Sequence, residues 1–339
     1  MHTTMTTMIG SIPAADIEEA LGLLERFPLV MPAWPQLPKR GFREGMIVQF
    51  SEGFPGIRID DAKKTITLDR GGDYLDRMAA FYDAVVSNAV APFATSAVHA
   101  AGLHAFIERL ERSGTRLPVV KGQVVGPFTF GLGLDDAECK AVWFDEQYRD
   151  IVLKGLAMKG LWQAQELKRI ADRVVIFYDE PIFSALGTPT YIGIDPESVV
   201  SGLSEIAERL HAADVKTGVH CCGNMEWSLL ARTSLDYIAF DAYGYGDKVT
   251  LYAADMKSFM ERGGTLAWGI VPTGSSDAVK TESGESLQKK IVDLEDMFVR
   301  KEVSRDLIRE RRIYTPSCGM GNLTMDEATR VLHLLSELT

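Results

Sequence analysis

The sequence contains few cysteines and no excess of positive charge. Its 339 residues include four cysteines, 36 lysines and arginines, and 47 aspartates and glutamates, so the formal net charge is −11 at pH 7. Four unevenly spaced cysteines do not form a disulfide framework in a chain of this size. We expect no nucleic-acid partner, because binding a phosphate backbone requires clustered lysine and arginine side chains.

Long apolar runs and nucleotide-binding loops are absent as well. No apolar stretch approaches the roughly 18 residues of a membrane span, and residues 1–5 lack the positive region and apolar core of a signal peptide. Gly131 and Gly133 lack the third glycine and the preceding strand of a dinucleotide-binding loop. We therefore expect a cytoplasmic protein that does not contact a membrane.

Short apolar runs alternate with helical segments along the whole chain. The candidate strands are residues 4–9, 29–33, 117–123, 174–179, 215–220, 236–241, 265–270 and 311–316. Strands separated by helices pair in parallel, and eight such units close into a barrel. Because no flexible linker divides the chain, the pattern predicts an α/β protein with one domain over residues 1–339, a single (β/α)8 (TIM) barrel.

One segment departs from this alternation. Residues 57–60 and 65–68 flank a short polar turn and predict a β-hairpin. Residues 73–112 are largely helical, with a break at Pro92. We interpret residues 50–112, approximately, as a hairpin and helical insertion after the second strand, and we expect it to fold over the barrel mouth.

A histidine and two cysteines mark a candidate metal site. In extended chain the side chains alternate, so His220 and Cys222 project to one side and Cys221 to the other. Cys318 follows the eighth candidate strand, at the same rim of a barrel. This donor set suits Zn²⁺, which leaves a fourth position open when it is catalytic. The alternative is a pair of core cysteines beside a hydrogen-bonded histidine.

Three carboxylates lie at the carboxyl ends of two candidate strands. Asp241 follows the sixth strand and is a candidate fourth metal ligand, a hydrogen-bond acceptor for the ligand histidine, or a loop carboxylate. Asp179 and Glu180 follow the fourth strand, where carboxylates bind a substrate ammonium group or act as acid and base. One of the two could instead cap a helix, and we favour Asp179 for the substrate.

These motifs resemble the catalytic domain of cobalamin-independent methionine synthase, in the uroporphyrinogen decarboxylase-like barrel superfamily. The resemblance covers nearly the whole chain and rests on residues 9–13, 179–181, 220–222 and 316–319. It implies that His220, Cys222 and Cys318 bind zinc. It also implies that Ser11 and Asp179 contact the amino acid part of homocysteine, and we keep Glu180 as a further substrate-binding candidate.

Some positions depart from the family pattern. Asp241 stands where the family usually has a glutamate ligand, and its shorter side chain reaches less far; a second family glutamate is Ala185 here. The tryptophan of the folate-using members is missing just beyond residues 126–131. We also expect no second barrel of the kind that helps those members bind methyl-folate.

The short core methionine synthases are the forms this chain resembles most. This resemblance implies that homocysteine is the methyl acceptor. It also implies that the donor is methylcobalamin or another methylcorrinoid, often presented by a corrinoid protein, in place of methyl-tetrahydrofolate. The alternatives are a methyltransferase for another thiol such as coenzyme M, a uroporphyrinogen decarboxylase-like protein, and a non-catalytic partner of a corrinoid protein with structural zinc. A sulfonate or several substrate carboxylates would require basic pocket residues, whereas an amino acid would use Asp179.

Overall fold

The fold is built on parallel strands, and the computed structural model describes residues 5–186 and 193–338. The strands in these ranges are β1 (Ile57–Asp60), β2 (Thr65–Leu68), β3 (Val120–Val125), β4 (Asp135–Asp136), β5 (Val174–Asp179), β6 (Lys216–Cys221), β7 (Tyr237–Phe240), β8 (Thr265–Val271) and β9 (Arg312–Pro316). Six of them form one parallel sheet in the order β3-β5-β6-β7-β8-β9. The predicted α/β class with a parallel sheet is confirmed.

Helices connect successive strands of this sheet. In the described ranges they are α1 (Ile17–Arg26), α2 (Tyr74–Val86), α3 (Ala101–Ser113), α4 (Pro127–Gly133), α5 (Glu146–Leu167), α6 (Pro196–His211), α7 (Trp227–Ala231), α8 (Ala242–Val249), α9 (Ala253–Glu261), α10 (Ser276–Thr281), α11 (Gly284–Val299), α12 (Arg305–Glu310) and α13 (Met325–Ser336). Side-chain caps start two of them: the Asp195 side chain caps α6, and Thr324 with Glu327 forms a capping box at α13.

Two extended segments lie between the edge strands β9 and β3. The Thr7 amide donates to the Tyr314 carbonyl at 3.1 Å, the Met31 amide donates to the Thr6 carbonyl at 2.9 Å, and the Lys121 amide donates to the Pro32 carbonyl at 2.8 Å. These segments are the first two candidate strands, but they form isolated bridges in place of regular ladders. Pro32 contributes to this irregularity, since proline has no amide hydrogen to donate. The described residues thus contain six regular strands of the main sheet, where eight were predicted.

A second, smaller sheet contains the hairpin. Strands β1 and β2 are antiparallel, with Ile57 opposite Leu68 and Asp60 opposite Thr65. The very short strand β4 adds to β2 in parallel, which the sequence did not predict. Helices α2 and α3 follow the hairpin, and a single 3-10 turn, Ala91–Phe93, separates them at the expected proline.

Side chains of alternate strand residues pack together on one face of the main sheet. A buried cluster draws on β5, β7, β8, β9, the residue before β3 and the second extended segment; it contains Met31, Val119, Val175, Phe177, Ala239, Ala267 and Ile313. The residue two positions after Phe177 on the same face is Asp179, at the carboxyl end of β5. The candidate site therefore lies next to this buried cluster, at the carboxyl ends of the strands.

Among the helices of the described ranges, none is both long enough and apolar enough to cross a membrane.

Candidate metal centre

The three predicted metal ligands come together at the carboxyl ends of β6 and β9. One ligand atom from each of His220, Cys222 and Cys318 lies within 4.8 Å of the other two. His220 is the fifth residue of β6, Cys222 follows the strand directly, and Cys318 lies two residues beyond β9. In a tetrahedral zinc site the sulfur and nitrogen ligands are about 3.3–3.8 Å apart, so only a small closure would be needed.

The surroundings of His220 suit a metal ligand. The residue is 4% exposed, and neither ring nitrogen has a hydrogen-bond partner in the structure. Burying a polar group without a partner is unfavourable, and buried imidazoles normally find one. Two orphaned nitrogens beside two thiols are explained by an ion that takes one of them. The donor set and its burial therefore fit Zn²⁺.

The two thiols influence each other strongly. The pKa of Cys222 is lowered, first by the neighbouring Cys318 thiol and then by His220, since both favour its thiolate. The pKa of Cys318 is raised, because it interacts with Cys222, is buried, and would ionise next to a thiolate. The pair therefore readily supplies one thiolate, and a bound cation would favour the second.

Cys221, between the two β6 ligands, has a different environment. It is fully buried in the main hydrophobic core, and its thiol donates to the Gly223 carbonyl at 3.5 Å. Burial raises its pKa to about 12, so it is an un-ionised core residue. The predicted alternation of side chains along residues 220–222 is confirmed.

Asp241 is not part of the cluster of potential ligands. It is the N-cap residue of α8, and its carboxylate accepts a hydrogen bond from the Gly244 amide at 2.7 Å. Because His220 has no hydrogen-bond partner, Asp241 is not its acceptor either. Of the three roles considered for Asp241, its contacts fit the loop carboxylate, here as a helix cap.

The side chains of Asp179 and Glu180 lie in different environments, although the two residues are adjacent in sequence. Asp179 is 6% exposed, lines the candidate pocket, and has one carboxylate oxygen without a hydrogen-bond partner. Burial raises its pKa to about 6, and the positive charge of Lys121 opposes this shift. The ammonium group of Lys121 donates a hydrogen bond to the Ile9 carbonyl at 2.6 Å. Asp179 thus has an oxygen free to accept a hydrogen bond from a ligand.

Glu180 instead holds the start of α4. Its carboxylate accepts from the Phe128 amide at 2.8 Å, the Thr129 amide at 2.8 Å and the Thr129 hydroxyl at 2.6 Å. Burial raises its pKa to about 8, against the effect of these bonds. It is fully buried and does not line the pocket. Its contacts correspond to the helix-capping alternative for this pair of carboxylates, and its predicted substrate role has no structural support.

A pocket of about 230 Å³ opens directly above the three ligands. Its polar lining comprises Ser11, Gln36, Glu44, Asp179, His220, Cys222, Cys318 and Asn322, and no lysine or arginine of the described ranges lines it. Ser11 therefore lies where it was predicted. Its hydroxyl, however, accepts from the Gly321 amide at 3.1 Å, in the loop that carries Cys318.

Sequence reasoning missed three polar residues of this pocket. Glu44 lies in a 3-10 turn, is 4% exposed and pairs with Arg40 at 2.8 Å. The pKa of Glu44 is raised, because the effect of burial outweighs the opposing effect of Arg40. Gln36 donates to Gln49 at 2.7 Å, and Asn322 is exposed at the rim. Asn322 follows Cys318 in the same short loop. This proximity was the one feature of the sequence that could have indicated a pocket residue.

This chain is similar to solved structures over nearly its whole length. No protein-family model and no curated protein matches it. A B12-independent methionine synthase from Shewanella sp. W3-18-1, solved in complex with selenomethionine, is 14% identical with a TM-score of 0.59, over 99% of this chain and 97% of that one.

Two further solved structures are similar over most of their length. A methyltransferase from Methanosarcina mazei is 14% identical with a TM-score of 0.56, over 99% of this chain and 94% of that one. A putative vitamin-B12-independent methionine synthase from Listeria monocytogenes is 14% identical with a TM-score of 0.55, over 94% of this chain and 84% of that one. At this identity the likeness establishes a shared fold, which is the fold of the family that the sequence motifs resemble.

Proposed function

We propose that this protein is a zinc-dependent methyltransferase that makes methionine by transferring a methyl group to the thiol of homocysteine. The observation that carries the proposal is the convergence of His220, Cys222 and Cys318 within 4.8 Å at the base of a pocket. Three protein ligands leave the fourth position of a tetrahedral ion for a substrate, as in catalytic zinc sites. The shared fold with methionine synthase structures supports the same function.

In this proposal the chain's own residues bind and orient the substrate. Zinc, when bound, lowers the pKa of a coordinated thiol and holds its sulfur in place. Asp179 offers its unpartnered oxygen to the substrate ammonium group. Fixing both ends of a small amino acid directs its sulfur toward an incoming methyl group.

The charges in the pocket favour an amino acid thiol over the alternatives. A sulfonate such as that of coenzyme M needs cationic partners, and no lysine or arginine of the described ranges lines the pocket. A tetrapyrrole with several carboxylates has the same requirement for cationic partners. A structural zinc needs four protein ligands, and Asp241 is engaged in capping α8.

The methyl donor that we propose is methylcobalamin or another methylcorrinoid, either free or bound to a corrinoid protein. The support is the family resemblance of the motifs, in which the tryptophan of folate users is missing. We also propose that the two bridged segments complete a single (β/α)8 barrel with the hairpin and helices α2–α3 as its insertion, since these segments connect β9 to β3.

The test supplies the purified, zinc-loaded protein with homocysteine and one donor at a time. We expect methionine from methylcobalamin and none from methyl-tetrahydrofolate. Coenzyme M as a competing acceptor should remain unmethylated. Product from the folate alone would refute the donor and leave the acceptor intact, whereas methylated coenzyme M without methionine would refute the acceptor.

A further inference from the structure

The loop that carries Cys318 is held from one side by the end of β8. The Ser317 amide donates to the Val271 carbonyl at 2.8 Å, and the Thr273 amide donates to the Ser317 hydroxyl at 3.1 Å. The hydroxyl groups of Ser317 and Thr273 are 3.0 Å apart and share a further hydrogen bond. These three bonds join the residue before Cys318 to the neighbouring strand end.

Ser11 holds the same loop from the opposite side. Its carbonyl accepts from the Met320 amide at 2.9 Å, and its hydroxyl accepts from the Gly321 amide. A side chain at Gly319 would place its Cβ 2.2 Å from the Ser11 hydroxyl oxygen, so the loop approaches closely only because this residue is glycine. The segment 317–321 is therefore fastened at both ends.

Cys318 needs this support more than the other two predicted ligands. His220 lies within β6, where the ladder with β5 and β7 fixes its backbone, and Cys222 follows that strand directly. Cys318 lies beyond the last paired residue of β9, Pro316. Its position therefore depends on the bonds made by its loop.

We propose that Ser317 and Thr273 are positioning residues of the metal centre, which hold Cys318 where it meets His220 and Cys222. Ser317 and Thr273 are 3% and 8% exposed, and neither lines the pocket, so they act through Cys318 and not on the substrate. Partners that orient metal ligands commonly change metal affinity 10- to 100-fold when they are mutated. This inference rests on the zinc centre of the proposed function and names the residues that preorganise it.

The test measures metal binding without any methyl donor. We expect Ser317→Ala to raise the zinc dissociation constant about tenfold, because the Thr273 amide loses its acceptor and the bond between the two hydroxyl groups is lost. Thr273→Val keeps the side-chain shape and the amide bond to Ser317, so we expect a smaller rise. The measurement is competition for zinc with a chromophoric chelator, together with the sulfur-to-metal absorption bands of the Co²⁺-loaded proteins.

Thr233→Val is the matched control. Thr233 is 2% exposed, and its hydroxyl donates to the Leu230 carbonyl at 2.7 Å at the end of α7, away from the pocket. We expect it to lower the stability of the metal-free protein as Thr273→Val does, with unchanged zinc affinity and cobalt spectrum. A purely structural role for Thr273 would make the two variants behave alike in every measurement.

The outcomes separate this inference from the proposed function. Zinc binding as tight in Ser317→Ala and Thr273→Val as in the unmodified protein would overturn the positioning role and leave the methyltransferase proposal standing. Weakened binding in both, in a protein that transfers no methyl group, would support the positioning role and refute the function. A chain that binds neither zinc nor cobalt would refute both.

Discussion

The two ends of strand β9 use ionisable residues in opposite ways. At its amino end, Arg312, Arg305 and Arg309 surround the carboxylate of Glu295, which is 1% exposed; Arg305 lies at 2.7 Å and Arg309 at 3.0 Å. Beyond its carboxyl end, Cys318 lies beside His220, whose nitrogens have no partner. The first cluster has its partners within the protein, whereas in the second the imidazole nitrogens have none.

This contrast separates residues that stabilise the fold from residues that act on other molecules. A buried carboxylate with three guanidinium partners is satisfied, and removing it would leave those charges unpaired. An unpartnered buried imidazole is unfavourable for folding and persists where binding compensates for it. The arrangement follows the general division of parallel barrels, in which one rim serves stability and the carboxyl rim serves chemistry.

The largest effect that we expect is from Cys318→Ala. The variant should lose zinc on dialysis and lose methyl transfer with it, and zinc binding should weaken by more than the roughly 100-fold that supporting residues produce. Metal content and activity are the measurements. Cys221→Ala is the control, because it removes a neighbouring thiol that lies in the core, and it should keep its zinc. An active Cys318→Ala protein without metal would contradict the assignment.

At the other end of β9, Glu295→Gln should affect stability alone. We expect the free energy of unfolding to fall by about 3 kcal/mol, because three arginines lose a buried partner. Urea unfolding measures this, and zinc affinity should not change. Glu197→Gln is the control: Glu197 pairs with Arg232 on the surface, and such exposed pairs contribute little. Equal losses in the two variants would show that burial does not distinguish these pairs.

Asp179→Asn should have an intermediate effect, on substrate binding. Replacing a charged acceptor by a neutral one typically costs about 1.5–3 kcal/mol, so the KM for homocysteine should rise about 10- to 100-fold. Zinc content should stay the same. Asp241→Asn serves as control, since its carboxylate caps α8 and the amide oxygen can also cap a helix. An unchanged KM in Asp179→Asn would remove Asp179 from the substrate site.

The sequence predicted the features that follow from local periodicity and from the parallel topology. Alternation along residues 220–222 was sufficient to separate the two candidate ligands from the core residue Cys221. The rule that strand ends converge at one rim was sufficient to bring Cys318 to them, across almost 100 residues of sequence. Both arguments need only the strand assignments, which were correct within a few residues for the six regular strands.

The remainder depends on contacts that no periodic pattern records. Residues on both faces of β5 are apolar, so the sequence could not show that Asp179 faces the pocket and Glu180 faces α4. Glu44 reaches the pocket from an irregular segment. The first two candidate strands form isolated bridges in place of ladders, and in the second of them Pro32 lacks the amide hydrogen that a ladder bond would need.

The smallest expected effect is the pH dependence of the Glu295 cluster. Its arginine neighbours lower the pKa of Glu295 against the effect of burial. A carboxyl group with a lowered folded-state pKa stabilises the protein above its unfolded pKa of about 4.3, and this stabilisation is lost as the pH falls through the folded-state value. The difference in unfolding free energy between the unmodified protein and Glu295→Gln should therefore be constant from pH 7 to about pH 5 and shrink below that, by at most about 1.4 kcal/mol per pH unit. All other carboxyl groups are common to both proteins, so the difference isolates Glu295. A difference that stayed constant down to pH 3 would show that the arginines do not stabilise its charge.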